Sequence, residues 1–128
     1  MTSKELVLYI EDDINMQILL SDILKYEGIG VIVDNGMNIA KILEENNVRM
    51  IFMDENLGAY RGSDLCSQIR TFPAYDHIPI VMISGIWNIS TIAQNCGAQH
   101  FIRKPFDMYD VISTLSTHYV YNRPKNSC

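Results

Sequence analysis

Carboxylates in this chain stand directly after two apolar segments. "LVLYI" (6–10) is followed by "EDD" (11–13), and "MIFM" (50–53) is followed by Asp54. A few carboxylates with room for water suit Mg²⁺ better than Ca²⁺ or zinc. An aspartate held at the end of a buried segment and facing a loop is also placed to act as a nucleophile. These residue types therefore indicate a magnesium site beside a reactive carboxylate, provided that the fold brings the two segments together.

Two further segments end on polar residues that fit the same chemistry. Ser84 ends one apolar segment, and Lys104 ends another. Two carboxylates about 4 Å apart repel each other by roughly 4 kcal/mol at an effective dielectric constant of 20, so nearby positive charge is needed. Lys104 supplies one positive charge, and a divalent cation would supply the rest. Because phosphoryl transfer depends mostly on positioning and charge neutralisation, we predict that Asp54 accepts a phosphoryl group to which Ser84 donates a hydrogen bond.

The elements that must position these residues follow from the hydrophobic pattern. Strands are predicted at 6–10, 31–34, 50–53, 78–84 and 100–104, and helices at 14–26, 37–46, 64–72, 88–95 and 107–120. The helical pattern places Leu19 on the apolar face of the first helix and Met108 on that of the last. Regular alternation of strands and helices predicts a parallel sheet with helices on both faces. The first, third and fourth strands are almost wholly apolar, as central strands are, whereas the second and fifth contain charged residues, as edge strands do.

This arrangement predicts an α/β fold of the flavodoxin-like class, a doubly wound (βα)5 parallel sheet with strand order 2-1-3-4-5. In such sheets ligands bind beyond the carboxyl ends of the strands, at the switch point between the first and third strands. Glu11, Asp12 and Asp54 are then expected on one rim, facing Lys104. Asp13 directly precedes the first helical segment, so we interpret it as the cap of that helix rather than a metal ligand.

Length and composition limit the remaining possibilities. The 128 residues predict one domain, over 1–121, followed by a disordered tail at 122–128. A net charge of -5 argues against direct nucleic-acid binding, and no apolar segment is long enough to span a membrane. The three cysteines have no metal-binding spacing, so Cys66 and Cys96 are interpreted as core residues and the protein as cytoplasmic.

Four motifs, in order, resemble the receiver domain of two-component response regulators. They are "EDD" (11–13), "MDENLGAYRG" (53–62), "MISG" (82–85) and "GAQHFIRKPFD" (97–107). Each motif is weak alone, but four in this order on the expected elements are specific. The resemblance extends over residues 5–120.

The resemblance implies a role for each residue of the predicted site. Asp54 would take a phosphoryl group from a phosphohistidine on a sensor histidine kinase or a histidine phosphotransfer protein. The implied magnesium ligands are Glu11, Asp12, the Asp54 carboxylate and the Asn56 backbone carbonyl. Ser84 and Lys104 would contact the phosphoryl group. Such a protein is a signalling module rather than an enzyme, since it promotes only its own phosphorylation and dephosphorylation.

The resemblance also implies a switch. Ser84 and Phe101 match the hydroxyl and aromatic switch positions, which couple the phosphoryl group to the face formed by the fourth helix, the fifth strand and the fifth helix. That face would bind an unidentified downstream protein or a second copy of the chain. Gly85 and Ile86 belong to the loop after Ser84, and the bond between Lys104 and Pro105 is expected to be cis.

Several residues depart from the usual receiver pattern. Gly58 stands where proline is common and would loosen the loop after Asp54. Phe101 replaces the commoner tyrosine and has no hydroxyl group. Ile86 is apolar, and we hypothesise that it shields an acyl phosphate from water. The segment 88–95 consists of indifferent helix formers, so this helix region is predicted to be the least stable in the domain. Beside it, partial packing of Trp87 against that helix is favoured over a role as a partner anchor.

Two other functions remain as alternatives. A small Mg²⁺-dependent phosphatase could use Asp54 as its nucleophile, but it would need a general acid two residues later, where the chain has Asn56. A degenerate receiver could act as an interaction module that is never phosphorylated. The presence of Asp54, Ser84 and Lys104 together counts against that alternative.

Overall fold

The computed structural model describes residues 5–119, which form one sheet flanked by helices. The strands are β1 (Glu5–Ile10), β2 (Gly30–Asp34), β3 (Asn47–Asp54), β4 (Ile80–Ser84) and β5 (His100–Arg103). The helices are α1 (Ile14–Tyr26), α2 (Ile39–Glu45), α3 (Gly62–Ile69), α4 (Ile89–Cys96) and α5 (Met108–His118), with a short 3-10 turn at Pro73–Tyr75. The predicted disordered tail at 122–128, which includes Cys128, lies outside the described residues.

The five strands are parallel and lie in the order β2-β1-β3-β4-β5, which confirms the predicted flavodoxin-like fold. The register brings the carboxyl ends of the central strands level with one another. Met53 lies beside Ile10, and Asp54 lies beside Ile83. Residues that directly follow β1, β3 and β4 therefore emerge at the same edge of the sheet.

Side chains that alternate along the strands divide the core between the two faces of the sheet. In β1, Leu8 and Ile10 pack on the side of α2, α3 and α4, whereas Val7 and Tyr9 pack on the side of α1 and α5. Cys66 and Cys96 are buried within the first of these clusters, as predicted. Burial on both faces holds the ends of the central strands rigidly, and those ends carry the predicted site.

The beginning of α3 corrects one sequence prediction. Helix α3 starts at Gly62 rather than at residue 64, and a Cβ atom on Gly62 would lie only 2.0 Å from the backbone oxygen of Asp54. Gly62 is therefore required by the close approach of α3 to the end of β3. The Gly62 N–H donates to the Glu55 carbonyl at 2.9 Å, which closes this contact.

Some apolar side chains that the helical pattern placed inward lie at the surface. Leu19 in α1 is 45% exposed and Met108 in α5 is 44% exposed. Trp87 is 83% exposed, so the predicted packing of this residue against the fourth helix is wrong. Among the described residues, no helix has the length and apolar character needed to cross a membrane.

Candidate functional site

The carboxyl ends of the central strands surround an acidic cleft of about 950 Å³. Its ionisable lining consists of the carboxyl groups of Glu11, Asp12, Asp13, Asp54 and Glu55 and the cationic groups of Arg61 and Lys104. Ser84, Gly85 and Ile86 line the side formed by the loop after β4. The structure thus brings the predicted phosphoacceptor, acidic residues, lysine and hydroxyl group into one cleft.

Glu11 and Asp54 are the most deeply buried polar residues of the cleft. Asp54 is 4% exposed, and its Oδ1 atom lies 2.7 Å from Lys104 Nζ. Lys104 Nζ also lies 3.2 Å from Glu11 Oε1, so one ammonium group pairs with two carboxylates. The backbone N–H of Asn56 donates to Asp54 Oδ2 at 3.1 Å. The Asp54 carboxylate is therefore held at both oxygens.

The electrostatic balance at this cluster leaves Asp54 easier to protonate than an ordinary aspartate. Burial raises the pKa of Asp54 to about 6; Lys104 and the Asn56 N–H oppose the rise, and the neighbouring Glu11 adds to it. Burial alone would lower the pKa of Lys104, but the hydrogen bond to Asp54 and the charges of Asp54 and Glu11 raise it. At neutral pH Lys104 is therefore charged and Asp54 is ionised. The raised pKa of Asp54 means that its ionised form is less stable in the folded protein than in water.

Glu11 is fixed by groups from β1 and α1. The Tyr9 hydroxyl donates to Glu11 Oε1 at 3.0 Å, and Gln17 Nε2 donates to the Glu11 backbone carbonyl at 2.7 Å. Burial and the adjacent Glu11 carboxylate raise the pKa of Tyr9 above its ordinary range, so its hydroxyl keeps the proton that it donates. Asp13 accepts a hydrogen bond from the Met16 N–H at 3.0 Å and caps α1, as predicted.

Three carboxylates in the cleft are close enough to share one cation. Glu11, Asp12 and Asp54 can each offer one oxygen, and these oxygens lie within 4.8 Å of one another. A donor set made only of oxygens, at an open cleft that admits water, fits a hard cation such as Mg²⁺. Asn56 lies on the same rim, while ligation through its backbone carbonyl stays a prediction.

Glu55 is a structural residue of the site that the sequence analysis did not identify. It is 9% exposed, its Oε1 accepts from the Ser63 N–H at 2.7 Å, and its Oε2 accepts from Ser63 Oγ at 3.0 Å. These bonds tie the end of β3 to the first turn of α3. No local pattern marks Glu55, because it lies outside the first turn of α3 and its partner Ser63 stands eight residues later in the chain.

The predicted switch residues lie on two neighbouring strands. Ser84 is 8% exposed, and its Oγ accepts from the Ile86 N–H at 3.1 Å. Phe101 is partly buried against the core on the α3 and α4 side and does not line the cleft. The Lys104–Pro105 bond is cis, as expected. The hydroxyl group and the aromatic ring therefore lie on paired strands, while their role as a switch stays a prediction.

A doubly wound sheet with this acidic, lysine-containing cleft is the architecture of a phosphoacceptor signalling domain. Residues 7–116 match the family described as the response regulator receiver domain, and the chain belongs to this family. It is thus a receiver domain of two-component signalling.

Individual relatives agree with this assignment. The chain is 29% identical over 111 residues to the chemotaxis protein CheY of Halobacterium salinarum, covering 86% of this chain and 92% of that protein. It is 28% identical over 115 residues to the response regulator protein FleR of Pseudomonas aeruginosa, covering 88% of this chain but 24% of FleR. Other curated relatives are also longer, since the chain spans between 8% and 50% of their lengths.

Solved structures show the same fold. The receiver domain of a sensor histidine kinase from Pseudomonas aeruginosa superposes with a TM-score of 0.80 at 20% identity, covering 91% of this chain and 98% of that one. That structure contains a magnesium ion coordinated in its active-site cleft.

Proposed function

We propose that this receiver domain, extending over 1–121, accepts a phosphoryl group on Asp54 in a Mg²⁺-dependent reaction. The donor would be the phosphohistidine of a sensor histidine kinase or a histidine phosphotransfer protein. The observation that carries the proposal is the contact of 2.7 Å between Lys104 Nζ and Asp54 Oδ1 inside an acidic cleft. A lysine so placed can neutralise charge on a phosphoryl group as it reaches the carboxylate.

Asp54, Lys104 and Ser84 each have a role in the proposed transfer. An Asp54 carboxylate oxygen attacks phosphorus, an O–P bond forms, and the N–P bond to the donor imidazole breaks. The leaving imidazole takes a proton from solvent. The Lys104 ammonium faces the phosphoryl oxygens, and the Ser84 hydroxyl, which accepts from Ile86 through its oxygen, still has its own proton to donate to them.

Magnesium fits this cleft because its carboxylates would otherwise repel one another. Glu11, Asp12 and Asp54 would hold the ion, with the Asn56 carbonyl as a fourth protein ligand. When bound, Mg²⁺ supplies positive charge that stabilises the transferring phosphoryl group. The structure of the related kinase receiver with magnesium in its cleft supports this assignment.

The phosphoryl group would act by shifting a population of conformations. Ser84 and Phe101 would couple Asp54 to the α4-β5-α5 face, through which the domain binds a downstream protein or a second copy of itself. The family relationship and the partly buried ring of Phe101 on β5 support this route. The proposed location is the cytoplasm, and the net charge of -5 argues against direct contact with nucleic acid.

The test is the intact mass of the protein after incubation with acetyl phosphate and Mg²⁺. One added phosphoryl group is expected for the wild type, and none for Asp54→Asn or for wild type in EDTA. If acetyl phosphate labels nothing, the same assay with a phosphorylated histidine phosphotransfer protein decides between donor selectivity and a receiver that is never phosphorylated. Absence of labelling from both donors, with a normally folded protein, would overturn the proposal.

A further inference from the structure

Arg103, the last residue of β5, reaches across to the loop that joins β4 to α4. Its Nη1 donates to the backbone carbonyl of Trp87 at 3.2 Å and, more weakly, to that of Ile86 at 3.4 Å. Its guanidinium carbon also lies 5.4 Å from the centroid of the Phe101 ring. One exposed side chain therefore contacts both the loop beside the phosphorylation cleft and the aromatic switch position.

The loop has little other support from side chains at this point. Asn88 occupies the N-cap position of α4, but its side chain makes no capping hydrogen bond. Within residues 5–119, the Oδ1 atom of Asn88 is the buried side-chain polar atom left without a hydrogen-bond partner. Without a side-chain cap, the start of α4 is held by the Ile89 N–H, which donates to the Ile86 carbonyl at 3.2 Å. The side chains of Arg103 and Ser84 add to this backbone bond in fixing the position of the loop.

Arg103 and Ser84 hold the same residue from opposite sides. Ser84 Oγ accepts from the Ile86 N–H at 3.1 Å, while Arg103 donates to the Ile86 carbonyl. A Ser84 hydroxyl drawn toward a phosphoryl group on Asp54 would move Ile86 with it. That movement lengthens bonds from Arg103 that are already at the long end of the hydrogen-bond range.

We propose that Arg103 is a positioning residue that holds the β4–α4 loop and Phe101 in the unphosphorylated arrangement. This inference rests on the proposed function, because it concerns the equilibrium that phosphorylation of Asp54 shifts. Phe101 has no hydroxyl with which to bond the loop, and the guanidinium group over its ring provides the link instead. Since coupling between two sites is reciprocal, loss of the Arg103 contacts favours the arrangement that phosphorylation stabilises.

The test uses Trp87, the one tryptophan of the chain, as a fluorescent reporter in the loop itself. Wild type, Arg103→Met and Arg103→Lys are titrated with beryllofluoride, a phosphoryl mimic, in the presence of Mg²⁺. Arg103→Met is expected to begin with Trp87 emission shifted toward the saturated state and to reach half-saturation at roughly fivefold lower beryllofluoride concentration. Arg103→Lys keeps the charge without the planar fork, so an intermediate response is expected.

Arg49→Met is the matched control. The Arg49 guanidinium lies 5.9 Å from the ring centroid of Tyr119 and pairs with the Glu5 carboxylate at the start of β1, away from the cleft. This variant therefore loses an arginine–aromatic contact of the same kind, together with one ion pair. Its emission and half-saturation are expected to equal those of the wild type.

Two results would overturn the inference in distinguishable ways. A wild type that responds to beryllofluoride, together with an Arg103→Met variant of equal or weaker response, would show that Arg103 does not hold the resting arrangement. A wild type that gives no response, with its failure to be labelled by either phosphoryl donor, would instead overturn the proposed function and this inference with it.

Discussion

Asp54 is a carboxylate that the fold makes costly to ionise. Its pKa is raised to about 6 by burial, with Glu11 adding to the rise and Lys104 only partly opposing it. Because the folded chain holds the Asp54 proton more tightly than the unfolded chain does, ionisation of Asp54 lowers the stability of the metal-free protein. Nucleophilic function and stability therefore make opposite demands on this residue.

Asp54→Asn is accordingly expected to stabilise the metal-free protein at pH 7. The amide imitates the protonated carboxyl, so the gain should be near zero below pH 3.8, rise as pH increases, and level off above pH 6. At about 1.4 kcal/mol per pKa unit, the plateau is expected at about 1–3 kcal/mol. Urea unfolding of both proteins in EDTA across this pH range measures the difference.

Lys104→Met is a control that should change stability in the opposite direction. Removal of the ammonium group leaves Asp54 and Glu11 without their shared cation, so this variant is expected to be less stable than the wild type at pH 7. A difference between Asp54→Asn and wild type that does not depend on pH would contradict the role given to the ionised carboxylate.

Ile86 provides a second test at the scale of one residue. It is 43% exposed and lines the cleft beside Asp54, so it is placed to restrict water near an acyl phosphate. Ile86→Glu is expected to shorten the half-life of the phosphorylated protein by roughly 2- to 10-fold, since a carboxylate recruits and orients water. The half-life is measured by intact mass after removal of the donor.

Tyr26→Glu is the control for Ile86→Glu. It adds the same carboxylate at the last residue of α1, which is 77% exposed and does not line the cleft. Its half-life should be that of the wild type. A wild-type half-life no longer than that of Ile86→Glu would reject the shielding role.

Sequence reasoning found most of the cleft residues because they stand at predictable places, directly after apolar strands. It did not identify Glu55, whose partner Ser63 lies eight residues later in α3. Burial of Glu55 depends on how closely α3 approaches β3, and that distance is fixed by Gly62. Local sequence patterns do not contain such a tertiary distance.

At the scale of elements, the two helices that follow β4 and β5 begin differently. Helix α5 starts with a capping box, in which Asp107 accepts from the Asp110 N–H at 3.0 Å and Asp110 accepts from the Asp107 N–H at 2.9 Å. Helix α4 has no side-chain cap at Asn88. Helices α2 and α3 also begin without a side-chain cap, so capping does not single out α4, and its low stability stays a prediction.

Because the two helices are capped differently, replacing each N-cap residue by alanine should lower the free energy of unfolding by different amounts. Asp107→Ala is expected to lower the free energy of unfolding by about 1 kcal/mol, because it leaves N–H groups at the start of α5 without a partner. Asn88→Ala removes no capping bond, so a change within about 0.5 kcal/mol is expected. Urea unfolding measures both, and equal losses would contradict the assignment of the caps.

Helix faces were less predictable than helix positions. The apolar pattern gave α1 the correct span, Ile14–Tyr26, but it also placed Leu19 inward. Ile14, Ile18 and Leu19 are instead exposed, so the apolar stripe of α1 is wider than the surface that the sheet can cover. How much of a stripe is buried depends on the neighbouring helix, which periodicity does not specify.

At the scale of the whole molecule, the strand order could be predicted because charge and apolar content separate edge strands from central strands. The same order brings several carboxylates to one rim of a protein with a net charge of -5. Repulsion within that rim is a cost of the folded state, since the unfolded chain separates these groups. A cation that binds the rim must therefore stabilise the fold as a whole.

Mg²⁺ is expected to raise the free energy of unfolding in proportion to the logarithm of its free concentration. Well above the dissociation constant, each tenfold increase should add about 1.4 kcal/mol, because the ion binds the folded cleft and not the dispersed carboxylates. Thermal unfolding at constant ionic strength, with NaCl replacing MgCl₂, separates this effect from general screening of the net charge. Asp12→Asn removes an exposed ligand without disturbing the core, so its Mg²⁺ dependence should begin at higher concentrations. Equal stabilisation of wild type by NaCl and MgCl₂ at matched ionic strength would mean that the three carboxylates do not form a cation site.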